Sequence, residues 1–293
     1  MQYLVLGATG YLGSYIYSRL CADGCRVIGT SRGTRDRGEL VYYDIQTSNV
    51  NDIIHKFDNR GEKTAIIGIA ESKIDKCFEN YSEAYEINVI KTKKMIYELL
   101  KEGFQIIYFS SDNVFDGITG NYTEENRPAP INKYGMMKSE MERELLNSKS
   151  EICILRISKV VSMLKGTQNF LTQLMIQIET GSVRCIKGNI MTFVCIEDIY
   201  QCCKLAAERK MRGLYNIAGD HRYSRADIAK KICDKMKRTN FSIMEYDVAE
   251  FKFKDNRPLD TSLLNQKFKR ETGYQFMSMD AVIDKFIENM AVF

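Results

Sequence analysis

Short apolar runs alternate with amphipathic stretches through the first half of the chain. Residues 3–6 are apolar at every position and end at Gly7. Helical periodicity follows, with Leu12, Ile16 and Leu20 on one face, and runs to Asp23-Gly24. Residues 26–30 then predict a second strand, which completes a strand–turn–helix–strand unit. Runs at 64–69, 105–110 and 152–156 predict further strands. Between them the pattern predicts helices at 82–102 and 134–146. In the first of these, Ala84, Ile87, Val89, Ile90, Met95 and Leu99 are the expected buried positions. Apolar strands alternating with helices predict an α/β fold, a doubly wound parallel sheet covered on both faces. Beyond residue 160 the pattern loosens. Helices are expected at 167–179, 196–209, 224–237 and 279–289, with short strands near 183–186 and 192–195. The expected division is a main domain over 1–160 and a smaller C-terminal α/β lobe over 161–293. A return of 192–216 to the main sheet stays open.

Composition narrows the class. Of 293 residues, 44% are hydrophobic and 27% charged, the balance of a globular chain. The net charge of +4 is small and dispersed, so charge gives no reason to expect nucleic acid. Three prolines leave little room for long linkers. Nine cysteines form no Cys-x-x-Cys pair, and several sit inside apolar runs. That pattern suits reduced, buried thiols in the cytoplasm better than a disulfide framework. The two histidines, His55 and His221, are far apart, which argues against a zinc site. No apolar stretch reaches the roughly 20 residues of a membrane span, and the first strand begins within two residues of Met1, so neither membrane nor secretory leader is expected.

The turn between the first strand and first helix reads Gly7-Ala8-Thr9-Gly10-Tyr11-Leu12-Gly13. Glycines there let backbone N–H groups approach a phosphate, and the helix N-terminus adds favourable partial charge. In this context the loop predicts a dinucleotide pyrophosphate site. An NAD site would place an acid at the end of the second strand. This chain has Thr30-Ser31-Arg32 there, followed by Arg35 and Arg37. Ser31 and Arg32 are suited to a 2′-phosphate, so NADP(H) is favoured over NAD(H). Asp44-Ile45, after the third short strand, is the expected adenine side, or else a surface turn.

Tyr134-Gly135-Met136-Met137-Lys138 opens a helix, so a phenol and an ammonium at i and i+4 share one face. The ammonium favours tyrosinate and brings its pKa toward the working range. The pattern gains weight from its place downstream of a strand ending in Ser110-Ser111-Asp112. Together Ser111, Tyr134 and Lys138 predict carbonyl reduction, with Tyr134 as proton donor, Ser111 orienting the carbonyl and Lys138 tuning Tyr134.

At these residues the chain resembles the extended short-chain dehydrogenase/reductases, and within them the dTDP-4-dehydrorhamnose reductases. The likeness runs over nearly the whole chain. It is carried by the glycine loop, Glu86-Ile87-Asn88-Val89, residues 110–117, Tyr122-Thr123-Glu124, Tyr134-Gly135-x-x-Lys138, Leu155-Arg156-Ile157-Ser158, Asn169-Phe170 and Arg257-Pro258-x-Asp260-x-Ser262-Leu263. The resemblance implies a Rossmann-type domain, a nucleotide-diphosphate sugar substrate with a C4 keto group, and a homodimer. It places Gly68-Ile69-Ala70 under the cofactor and Arg257 against the nucleotide sugar. It puts Asp112, Asn113, Lys159 and Asn169 near the sugar. Ser111, Asn113, Lys159 and residues 187–193 depart from the family's usual residues, which leaves the sugar and base open. Asn113 argues against a 4,6-dehydratase. An epimerase and a non-catalytic, cofactor-binding regulatory subunit remain as alternatives.

Overall fold

The computed structural model describes residues 1–33, 40–58, 61–166 and 169–290. Arg35 and Arg37 lie outside them. The strands in chain order are β1 (Gln2–Leu6), β2 (Arg26–Ser31), β3 (Leu40–Tyr42), β4 (Lys63–Ile67), β5 (Phe104–Ser111) and β6 (Ile152–Ile157). They continue with β7 (Lys159–Val161), β8 (Ser182–Ile186), β9 (Ile190–Cys195), β10 (Gly213–Ile217), β11 (Arg222–Ser224) and β12 (Ser242–Tyr246).

The chain forms two compact units. The first comprises Met1–Ser111, Asn132–Arg156 and Tyr200–Tyr215. The main sheet has seven strands in the order β3-β2-β1-β4-β5-β6-β10. β1 pairs in parallel with β2 and β4, β2 with β3, and β4 with β5. This is the doubly wound parallel arrangement expected from the uniformly apolar runs. All five residues of β1 and all eight of β5 are buried, as strands covered on both faces require. The core of this unit gathers Leu4, Leu6, Ala65, Ile67, Ile106 and Ile154 with helix residues such as Ile96, Leu99 and Met141. The strand order reverses at β1 and β4, and ligands of such sheets bind beyond the carboxyl ends of the strands at that point.

The division is not a single cut at residue 160. Asp112–Ile131 groups with the second unit, and Tyr200–Tyr215 with the first. The second unit also holds Ile157–Ile199 and Asn216–Phe293. It contains a three-stranded sheet, β11-β9-β7, and a two-stranded one, β12-β8. Its core packs Leu171, Leu174, Val183, Ile228, Ile232, Ile283 and Phe286. β12 escaped the sequence reading because three of its five residues are exposed, so it carries no apolar run.

The stretch at 82–102 is not one regular helix. A π-helical turn, Glu86–Lys91, interrupts it between the α-helical segments Tyr81–Tyr85 and Thr92–Lys101. The wider turn shifts the helical phase. Asn88 is thereby turned inward at 3% exposure, and Ile90, expected to be buried, is exposed instead. Among the described residues no helix is long and apolar enough to cross a membrane.

Candidate functional site

The glycine turn is built around contacts that exclude side chains. Gly7 has φ +85°, a left-handed conformation that glycine adopts without strain. A Cβ on Gly13 would lie 2.2 Å from the Gly7 carbonyl oxygen, so only glycine lets the helix Tyr11–Ala22 pack this closely on the turn. Gly10 is the N-cap of that helix and provides no capping side chain. The first amides of the helix therefore face outward without a side-chain acceptor from the cap, the arrangement that suits a phosphate. Thr30, at 1% exposure, fastens the turn: its hydroxyl accepts from the Gly7 N–H at 3.0 Å and its carbonyl from the Ala8 N–H at 2.9 Å. Sequence reasoning passed over this threonine.

A cavity of about 510 Å³ opens beside the turn. It is lined by Gly7, Thr9, Gly10, Ser31, Arg32, Ile45, Gly68, Ile69 and Ala70, all expected from the sequence. That volume is within the range of ligand and cofactor sites. Tyr11, Leu12, Gly13 and Asp44 do not line it. Gly13 acts through helix packing. The Asp44 carboxylate is spent on its own turn, accepting from the Gln46 N–H at 3.0 Å, while the neighbouring Tyr43 lines the wall. The sequence also missed Glu71, Lys76, Asn80, Glu83 and Ile87 in the lining. Their signal was available: they follow the Gly68 loop into the next helices. Asn88 holds that loop. Its side-chain oxygen accepts from the Glu71 N–H and its amide donates to the Glu71 carbonyl, both at 2.9 Å.

Ser111 closes β5 at 8% exposure. Tyr134 is the second residue of the helix Lys133–Asn147. The start of that helix is fixed by Asn132, whose side chain accepts from the Gly135 N–H at 2.8 Å. Lys138 lies one turn on and is 5% exposed. Its ammonium donates to the Phe109 carbonyl at 2.8 Å and to the Tyr108 hydroxyl at 3.2 Å, and stands 5.8 Å from the centre of the Tyr134 ring. Burial pulls the Lys138 pKa from 10.5 down to about 8, against the opposing pull of the Glu142 carboxylate. Glu142 is held in turn by Arg156 through two hydrogen bonds, 2.8 and 2.7 Å, between fully buried side chains. A lysine that is still cationic at neutral pH thus faces a tyrosine on one helix, the arrangement that favours tyrosinate. Tyr134 and Lys138 do not line the 510 Å³ cavity itself.

The residues expected around a sugar belong to the second unit. The Asn113 amide donates to the Asp112 carboxylate at 2.9 Å. Lys159 opens β7. Arg257 lies over the Phe253 ring at 4.4 Å and donates to the Asp255 carbonyl at 3.0 Å. Asn169 is a correction. At 0% exposure its side chain caps the helix Phe170–Glu179 through the Leu171 N–H, accepts from the Ser162 N–H and donates to the carbonyls of Ser162 and Leu164. Its bonding capacity is consumed by backbone, so it braces the loop and does not present a polar group to a ligand.

The motif Val114-Phe115-Asp116-Gly117 has a structural use too. The Asp260 N–H donates to the Gly117 carbonyl at 2.9 Å, and a Cβ on Gly117 would fall 2.5 Å from the Pro258 Cβ. Phe115 stacks on Tyr122 at 4.0 Å, and the Tyr122 hydroxyl bonds the Asp116 carboxylate. The two most distinctive stretches of the sequence therefore brace each other. Among the described residues no group of His, Cys, Asp and Glu is placed to hold a metal ion.

The strand order, the glycine turn where it reverses and the Tyr-x-x-x-Lys helix define an extended short-chain dehydrogenase/reductase-type fold. The family model described as the RmlD substrate binding domain matches residues 1–292, and the chain belongs to that family. Methionine adenosyltransferase 2 subunit beta from Pongo abelii is 27% identical over 241 residues, covering 79% of this chain and 71% of that protein. A hypothetical dTDP-4-dehydrorhamnose reductase from Sulfolobus tokodaii is 27% identical, with a TM-score of 0.83 over 97% of this chain and 99% of the other. The dTDP-4-dehydrorhamnose reductase of Bacillus anthracis, solved in complex with NADP, has a TM-score of 0.84 at 21% identity over 98% and 99%.

Proposed function

We propose that this protein reduces the C4 keto group of a nucleotide-diphosphate 4-keto-6-deoxyhexose, using NADP(H) in preference to NAD(H). The observation that carries the reading is the buried Lys138 ammonium set one helical turn from Tyr134, in the same unit as the glycine-turn cavity and Ser111. The cavity fits the cofactor: Gly7, Thr9 and Gly10 offer close backbone approach for the pyrophosphate, and Arg32 a cation for the 2′-phosphate. When bound, NADPH supplies the hydride. The chain's own part is proton handling. Tyr134 gives its phenolic proton to the oxygen that gains charge, Ser111 hydrogen-bonds that oxygen and orients it, and Lys138 holds the phenol in a reactive range.

The similarity to solved structures named as dTDP-4-dehydrorhamnose reductases supports the nucleotide-sugar substrate. We assign the product to deoxysugar supply for a surface polysaccharide, made in the cytoplasm. All nine cysteines are free thiols and seven are buried, which accords with a reducing compartment.

The test is NADPH oxidation with a panel of dTDP-, CDP-, GDP- and UDP-4-keto-6-deoxy sugars. Tyr134→Phe should abolish reduction and leave NADPH binding nearly intact. Wild-type rates in that variant would overturn the mechanism. A second reading, a cofactor-binding regulatory subunit, is favoured by the likeness to methionine adenosyltransferase 2 subunit beta. Tight NADPH binding with no turnover on any sugar would select it.

A further inference from the structure

Lys138 is held from below by a tyrosine outside the Tyr-x-x-x-Lys motif. Tyr108 lies on β5, three residues before Ser111, and pairs with Ile67 at the end of β4. The strand register fixes its backbone, and its side chain is packed in the core of the first unit, fully buried. The Tyr108 hydroxyl accepts from the Lys138 ammonium at 3.2 Å, and the same ammonium stands 4.6 Å from the centre of the Tyr108 ring. Among the described residues this is the hydroxyl's one hydrogen bond, so its own proton has no acceptor there. The Phe109 carbonyl takes a second ammonium proton at 2.8 Å. The two partners differ in kind: a carbonyl only accepts, whereas a phenol accepts and donates.

No carboxylate pairs directly with Lys138 among the described residues. Glu142, one turn further along the same helix, favours the ammonium through space and is itself held by Arg156 of β6. Tyr134 faces the ammonium from the same helix. Cys77 faces it from the helix Ile74–Glu79, where the thiol donates to the Glu71 carbonyl at 3.3 Å. Burial pulls Lys138 down toward neutrality and pushes Tyr108 well above the ordinary phenol range, a rise to which Tyr134 and Glu142 add. The lysine is therefore the member of the pair that changes charge, and the phenol keeps its proton. When Lys138 is charged, it donates to Tyr108. When it is neutral, its lone pair meets a phenolic O–H that has no other acceptor. Rotation of that O–H about one torsion makes the bond again in the opposite direction, and no proton crosses between the two groups.

We infer that Tyr108 is a positioning residue for the reduction: its phenol holds the Lys138 amine in one place, accepting from the ammonium and donating to the neutral amine. The inference rests on the proposed reductase reading, in which Lys138 tunes Tyr134. The bond to the ammonium is charge-assisted and roughly twice as strong as the neutral bond that replaces it. On balance Tyr108 favours the charged lysine, and through it the tyrosinate of Tyr134. Tyr108 does not line the 510 Å³ cavity, so its effect on the chemistry passes through Lys138.

The experiment compares wild type with Tyr108→Phe, which removes the hydroxyl and keeps the ring, and with Tyr108→Leu, which removes both. The first readout needs no substrate. Urea melts of each form, with and without Lys138→Met, isolate the Lys138 titration over about pH 6 to 10. Its midpoint, near pH 8 in wild type, should fall by about one unit in Tyr108→Phe. It should fall further in Tyr108→Leu, where the attraction of the ring for the cation is lost as well. The second readout is NADPH oxidation with a 4-keto-6-deoxy sugar. The alkaline limb should move with the midpoint, so the rate deficit of Tyr108→Phe should widen about eightfold between pH 6 and 9. A structural role alone would lower the rate by one factor at every pH. That result, or a midpoint within about 0.3 units of wild type, would overturn the inference. Should Tyr108→Leu fail to fold, Tyr108→Phe still decides the matter. A shifted midpoint in a chain that reduces no sugar would remove the reductase reading and leave the hold of Tyr108 on the lysine standing.

Discussion

Asn88 and Glu71 are joined by two reciprocal hydrogen bonds of 2.9 Å, side chain to backbone in both directions. Asn88 reaches that position because the π-helical turn Glu86–Lys91 rotates it inward, where its amide also touches the Met137 sulfur at 3.9 Å. The link thus runs from the floor of the cavity to the helix that carries Tyr134 and Lys138. Asn88→Ala should leave two backbone groups unpaired, at a cost of about 1–3 kcal/mol in a urea melt. It should also weaken NADPH by roughly tenfold or more, since about 1.4 kcal/mol of loop ordering is a tenfold change. An unchanged NADPH affinity in the variant would show that the clamp does not position the loop.

Gly10 and Gly13 should respond differently to the same methyl group. At Gly13 a Cβ would meet the Gly7 carbonyl oxygen at 2.2 Å, so Gly13→Ala must push the helix off the turn. Overpacking of this kind costs about 1–3 kcal/mol or more and should appear as lost stability. At Gly10 the nearest atom to a Cβ is the Gly7 oxygen at 3.4 Å, an ordinary contact, and the position lines the cavity. Gly10→Ala should therefore melt within about 1 kcal/mol of wild type while losing NADPH affinity by about tenfold. Equal behaviour of the two variants in melting and in cofactor titration would contradict the division of labour.

That contrast shows what the sequence could and could not express. The glycine spacing was legible because a backbone–phosphate approach demands small residues at fixed intervals. The parallel sheet was legible because β1, β4, β5 and β6 are apolar runs with no polar face. The π turn was not, because no residue type marks it; Ile90 fits regular helical periodicity and is exposed only because one extra residue enters the turn. Asn169 misled for a related reason. An asparagine ahead of a helix can present its amide to a ligand or cap the helix, and only the bonds to Ser162, Leu164 and Leu171 separate the two roles.

Arg32 is exposed and lines the cavity next to Ser31, whose hydroxyl accepts from the Gly33 N–H at 3.0 Å. Ser31 thereby shapes the turn that presents Arg32. A hydrogen bond to a charged group contributes about 1.5–3 kcal/mol, which corresponds to roughly 10–100-fold in affinity. Arg32→Ala should lose that factor for NADPH and change NADH by less than about threefold. Fluorescence titration with both cofactors measures the difference, and equal losses would remove the 2′-phosphate assignment.

Lys138 couples the chemistry to pH in a direction that can be worked out. Its folded pKa, about 8, lies below the 10.5 of the free side chain because burial disfavours the charge. Between those values the unfolded chain holds a proton that the folded chain has released, so this group's contribution to stability rises with pH. Below pH 8 both states are protonated and the full cost of burying the ammonium is present. The shift corresponds to about 3 kcal/mol across the window. Urea melts of wild type and Lys138→Met at a series of pH values cancel the other titrating groups. Wild type should gain on the variant by roughly 2 kcal/mol between pH 7.5 and 9.5. Over the same interval the wild-type reduction rate should fall, because a neutral Lys138 no longer favours the tyrosinate of Tyr134. Glu142→Gln should move both transitions to lower pH, since its carboxylate is the charge that holds the Lys138 pKa up. It should also unfold more readily by about 3 kcal/mol or more, because Arg156 is left buried without its partner. A stability difference between wild type and Lys138→Met that does not vary with pH would mean that the ammonium is not held in the desolvated state its surroundings imply.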